Sequence, residues 1–107
     1  MRRDKPVPRL EYSERFAEDL AAVTSSQVEK RIMRVLGDVE SFAEFGSKDV
    51  PASIHARFGD GVRKVAVNPF DLVYTYYPQD DLVRIEALVH QRAARWRTRG
   101  KREECLR

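Results

Sequence analysis

Three runs of strand-forming residues, Val62 to Val67 (VRKVAV), Leu72 to Tyr77 (LVYTYY) and Leu82 to Val89 (LVRIEALV), are separated only by Asn68-Pro69-Phe70-Asp71 and Pro78-Gln79-Asp80-Asp81. Both connectors are turn chemistry, and neither is long enough to carry a crossover helix. The runs are rich in β-branched and aromatic residues, so they must pair antiparallel as a three-stranded meander.

The chain before the meander has a different period. Val7 to Tyr12 alternates apolar and polar residues around Pro8, which predicts a short N-terminal strand at a sheet edge, where proline is tolerated. Ser13 can then cap a helix over Glu14 to Val23 with Phe16, Leu20 and Val23 on one face. Thr24 and Ser25 break it, and Ser26 with Glu29 forms a capping box that opens a helix from Gln27 to about Phe45, stopped by Gly46. Val28, Ile32, Val35, Leu36, Val39 and Phe42 recur there at steps of three and four, a stripe that faces a core. So short a joint predicts an antiparallel helical hairpin. Ser47 to Gly61 reads as a polar loop, and Gln91 to Arg99 as a short helix or an arm. The fold class is α+β: an N-terminal strand, a helical hairpin packed on a small antiparallel sheet, and a basic C-terminal segment. Ile32, Val35, Leu36, Val65, Val73 and Ile85 are the expected core.

A chain of 107 residues has room for one domain, with its core at about 7–96 and a basic tail at 97–107. The lone Cys105 forms no internal disulfide, and there is no C-x-x-C pair, no apolar run of some 18 residues and no apolar segment behind the charged start Met1 to Pro8. A cytoplasmic, non-membrane protein is expected, with no cofactor and no metal site. The net charge of +3 hides an asymmetry. Residues 92–107 hold seven Lys and Arg against two Glu, residues 1–11 hold four against two acids, and the body between holds nine against thirteen. Clustered arginine is the footprint of an anionic partner, nucleic acid or acidic protein.

No nucleophile-elbow, phosphate-loop, dinucleotide or metal-ligand spacing occurs. What the sequence offers is Arg, Lys, Tyr and His, residue types that suffice to cleave RNA without a metal. One group removes the 2′-hydroxyl proton, cations stabilise the phosphorane, and an acid protonates the leaving oxygen. Tyr74 and Tyr76 read as sheet packing, and His55 as a loop residue.

The order of the pieces, a strand, a helical pair, a meander containing Leu72-Val73-Tyr74 and a last strand running into His90-Gln91-Arg92, resembles the RelE/ParE superfamily of bacterial toxin-antitoxin toxins. The resemblance covers about residues 7–96. It implies a toxin neutralised by a cognate antitoxin that wraps it with a helix or strand, and the charge asymmetry predicts docking across the meander or the Arg92 to Arg102 segment. The RelE-like branch implies metal-independent, ribosome-associated mRNA cleavage that inhibits translation. The ParE-like branch implies a non-enzymatic DNA gyrase inhibitor, and a degenerate member would bind only its antitoxin. Lys64 and Arg92 match the RelE pattern and His90 can substitute as its acid or base; these three are the candidate catalytic residues, and cleavage requires them to converge on one face of the sheet. Arg63, Arg95, Arg97 and Arg99 are the candidate nucleic-acid contacts, and Trp96 is a candidate for stacking on a base, filling the antitoxin interface or capping the core. Asp71 stands where the nucleases commonly carry an arginine, and a carboxylate there repels phosphate.

Overall fold

A computed structural model describes residues 8–92. Strand β1 (Arg9–Tyr12) is followed by helices α1 (Glu14–Ala21), α2 (Ser26–Ser41) and α3 (Ala52–Phe58), and then by strands β2 (Val62–Val67), β3 (Phe70–Tyr77) and β4 (Leu82–His90). The four strands form one sheet in the order β1-β4-β3-β2. The meander is antiparallel throughout. β1 pairs parallel with β4, so the sheet is mixed where a wholly antiparallel one was expected. β1 does lie at an edge, and it begins after Pro8, whose missing N–H costs nothing there. Among the described residues no helix is long and apolar enough to cross a membrane.

α1 packs against β4 and α2 against β2, both on the same face of the sheet. The core between them holds Phe16, Ile32, Leu36, Val39, Leu72, Tyr74, Val83, Ile85 and Leu88. Of the six expected core residues, Ile32, Leu36, Val73 and Ile85 are buried, whereas Val35 and Val65 are half-buried. Ser13 caps α1 as expected, accepting from the Phe16 N–H at 2.9 Å while its hydroxyl donates to the Glu86 carbonyl at 2.7 Å. One serine thus starts the helix and fastens it to β4. Where β1 ends, side chains of α1 take over the exposed edge of β4, since the Leu88 N–H donates to Asp19 Oδ2 at 3.0 Å.

The boundaries differ from the expected ones for local reasons. Ser25, not Ser26, is the N-cap of α2, accepting from the Val28 N–H at 3.3 Å. α2 ends at Ser41, so Phe42, expected to continue the apolar stripe, is extended at the C-cap and 56% exposed. Gly46 does not stop the helix. Its requirement is close approach: a Cβ there would lie 2.9 Å from the Lys64 carbonyl oxygen and from the Tyr74 ring. Residues 47–61 were expected to be loop, yet α3 forms within them behind Pro51, using residues whose apolar members, Ile54 and Phe58, are too few to show a period. Phe70 and Asp71, expected in a turn, are the first two residues of β3.

Candidate functional site

Strand alternation sorts the candidate residues between two faces. On β2, Arg63 shares the α1/α2 face with Val65 and Val67, and Lys64 points the other way, toward α3. Arg63 donates to the carbonyls of Gly46 at 2.9 Å and Glu44 at 3.3 Å. Ser47 pairs with Lys64 through both backbone bonds. The segment after α2 is therefore stitched to β2, with the Arg63 guanidinium as one of the stitches.

Tyr74 completes this arrangement from the core side. Its hydroxyl donates to the Ala43 carbonyl and accepts from the Gly46 N–H, both at 2.7 Å, and the side chain is fully buried. Burial pushes the phenol above its ordinary pKa, with the Gly46 N–H and the Arg63 charge opposing the shift. Tyr74 is thus a packing residue with a satisfied hydroxyl, as its place in an apolar run implied.

Lys64 Nζ lies 3.9 Å from Asp71 Oδ2. Lys64 opposes Val73 and Asp71 opposes Ala66, so the two are diagonal neighbours that only a long side chain can join. Asp71 also accepts from Gln91 Nε2 at 3.2 Å. Around the pair, Val50, Pro51, Ile54, Val73 and Val89 leave a cavity of about 10 Å³, room for at most about one water. Asp71, expected to repel phosphate, sets its carboxylate beside the Lys64 ammonium.

His90 ends β4 on the opposite face, its ring edge-on to Phe70 at 5.5 Å. Nδ1 accepts the Arg92 N–H at 3.1 Å, which in the neutral ring leaves the proton on Nε2. Both His90 and Arg92 are exposed at the end of the sheet. His90 and Arg92 are therefore together, and Lys64 is not with His90. Arg95, Arg97, Arg99 and Trp96 lie outside the described residues. His55 meets Asp60 at 3.2 Å on the surface.

Two features went unread in the sequence. On the α3 face, Thr75 Oγ1 donates to the buried Glu86 carboxylate at 2.9 Å, and Arg84 reaches both Glu86 (3.4 Å) and Glu11 (3.5 Å). This chain of charges depends on the register shift between β3 and β4 at Val73/Tyr74, which no residue pattern announces. The second is Arg31 on α2, which donates to the Asn68 carbonyl at 3.1 Å and so lies over the β2–β3 turn, at the end of the sheet that carries His90. Its signal was present: an arginine among exposed helix positions. At the other end a groove of about 540 Å³ is lined by Lys48, Phe58, Arg63, Tyr77 and Pro78 among others, and Arg63 is the one candidate residue in it.

No family model and no curated protein matches the sequence. Solved structures do match the fold. The isolated RelE toxin of E. coli superposes with a TM-score of 0.61 at 16% identity over 89% of this chain and 97% of that one. A chain of the archaeal RelE-RelB complex from Pyrococcus horikoshii gives 0.61 at 12% identity, over 80% and 97%. A chain of the intact E. coli RelBE toxin-antitoxin complex gives 0.57 at 15%, over 78% and 95%. With a mixed sheet, three helices and 97% of both the isolated toxin and the archaeal chain covered, the chain has the fold of the RelE toxins.

Proposed function

We propose that this chain is the toxin of a type II toxin-antitoxin module, held inactive by a small antitoxin, and that it inhibits translation by cleaving ribosome-associated mRNA. The observation that carries the reading is the superposition on 97% of the isolated RelE toxin. Two of the matching structures are complexes with an antitoxin, which supports an antitoxin partner here. In this reading the reacting end is that of His90 and Arg92. The Arg92 guanidinium meets the charge that develops on the phosphate, and His90 as the neutral imidazole takes the 2′-hydroxyl proton and, as the imidazolium so formed, returns it to the leaving oxygen. Lys64, tied to Asp71, contributes less than the family pattern implies.

The same ion pair favours a second reading, a ParE-like gyrase binder, because a nuclease gains nothing from a carboxylate beside its cation. Induced expression without antitoxin separates the two, followed by primer extension on cellular mRNA and a supercoiling assay with purified gyrase. The nuclease reading expects ribosome-dependent cuts that fall about 100-fold or more in His90→Ala and Arg92→Ala. Intact mRNA with blocked supercoiling overturns it.

A further inference from the structure

Of the described cations, Arg9, Lys48 and Arg92 are exposed singly on separate segments, five others are held by neighbouring groups, and three are gathered on one helix. Arg15 pairs with Asp19, Lys64 with Asp71, and Arg84 with Glu11 and Glu86. Arg63 is bonded to carbonyls and Arg57 lies over the Phe58 ring at 5.4 Å. On α2, by contrast, Lys30, Arg31 and Arg34 are all exposed, and no carboxylate among the described residues lies within ion-pair distance of any of them. Arg34 lies three residues from Arg31 and four from Lys30, about 5 to 6 Å from each at Cβ, and so joins the adjacent pair into one helix flank.

The charge order along α2 is not one that stabilises the helix. A helix gains from acids in its first turn and bases in its last. α2 has Glu29 in the first turn, but its last turn holds Asp38 and Glu40 and no cation. The three cations are instead gathered toward the start of the helix, at the end where Arg31 reaches the Asn68 carbonyl over the turn. Phe70, two residues on, touches His90. The basic flank of α2 and the His90–Arg92 end thus adjoin through the β2–β3 turn. Acids collect at the other end, with Asp80 and Asp81 in the β3–β4 turn and Asp60 beside the start of β2.

We propose that the flank of α2 carrying Lys30, Arg31 and Arg34 tracks the phosphate backbone of the single-stranded RNA whose reacting bond sits at the His90–Arg92 end. This rests on the nuclease reading for the identity of the polymer. The contact is electrostatic and indifferent to base sequence, because α2 itself carries no aromatic side chain to stack on a base. Arg31 contributes its free guanidinium edge while the other edge stays on the turn.

The test is binding of the full chain to a fluorescent single-stranded oligoribonucleotide, titrated at several salt concentrations without ribosomes. Each phosphate contact on a single strand contributes about −0.7 to the slope of log K against log salt. Lys30→Gln/Arg31→Gln/Arg34→Gln is expected to flatten the slope by about 2, and Lys30→Gln/Arg34→Gln, which leaves the turn contact in place, by about 1.4. Lys48→Gln, near the far end of the sheet, is the control and leaves the slope as it was. An unchanged slope in the double variant overturns the proposal. So does tighter binding of polyglutamate of equal charge than of RNA, which would assign the flank to an acidic protein. The nuclease reading is scored separately by cuts on ribosomes: an α2-dependent slope without cuts removes the enzyme and keeps the RNA surface, and cuts with an unaltered slope do the reverse.

Discussion

The face of the sheet under α1 and α2 is apolar at its centre, and the fully buried hydroxyl there, that of Tyr74, has both its partners. The face toward α3 mixes Val73 and Val89 with the Lys64–Asp71 pair and the Thr75–Glu86–Arg84–Glu11 chain. Two faces of the same strands thus divide the labour, one holding the fold and the other holding charge that is largely cancelled within the molecule. A buried or half-buried ion pair is weak evidence of stability, because desolvation offsets its attraction. Stability should therefore respond strongly to changes on the first face and weakly on the second.

The largest effect is expected from Ile32→Ala, which opens the middle of the α1/α2 core where the side chain is fully buried. Chemical denaturation should show a loss of about 2 to 5 kcal/mol. A change below about 0.5 kcal/mol, the scale of surface substitutions, would mean that α2 contributes little to the core, and the contrast between the faces would fail at its stronger side.

Tyr74→Phe should come next. It keeps the ring and removes the hydroxyl that serves the Ala43 carbonyl and the Gly46 N–H. Each buried group left without a partner costs about 1 to 3 kcal/mol. A pH signature accompanies the loss. Burial raises the phenol above its ordinary value, so the folded chain keeps this proton at pH values where the unfolded chain has released it. Stability is then fully present below a pH of about 10 and falls as the pH rises beyond it. Denaturation midpoints followed from pH 8 upward should fall less steeply near the alkaline end in Tyr74→Phe than in the unaltered chain, and parallel curves would show that this hydroxyl does not titrate with folding.

What was legible in the sequence follows the same division. The meander, the edge strand and the α2 stripe could be read because apolar period and connector length are local properties of Val62 to Val89 and Val28 to Val39. α3 escaped because seven residues give too short a window for a period, and because its Ile54 docks on residues more than fifteen positions away, Asp71 and Val89 among them. The parallel pairing of β1 with β4 escaped because a first and a last strand share no connector. For the candidate site, alternation already separated Arg63 from Lys64. The separation of Lys64 from His90 required the register, since β4 carries one residue more than β3 at the Val73/Tyr74 shift. Arg95, Arg97 and Arg99 lie outside the described residues.

The smallest effect on stability, and the sharpest question about the two faces, belongs to Asp71→Asn. Asparagine keeps an oxygen for Gln91 Nε2 and removes only the charge that faces Lys64. The pair is partly exposed, with 33% of the Lys64 side chain and 16% of Asp71 open to solvent, so its loss should cost no more than about 0.2 to 1 kcal/mol. The substitution also releases a cation. If single-stranded RNA runs over the α2 flank and the His90–Arg92 end, Lys64 remains on the wrong side of the sheet, and the salt slope of RNA binding stays as it was. Should RNA pass across the α3 face, the released Lys64 meets a phosphate and the slope steepens by about 0.7. That steepening would place the nucleic acid on both faces, return Lys64 to the site that the family pattern gives it, and make Asp71 a restraint on RNA binding instead of a sign that the face has another use.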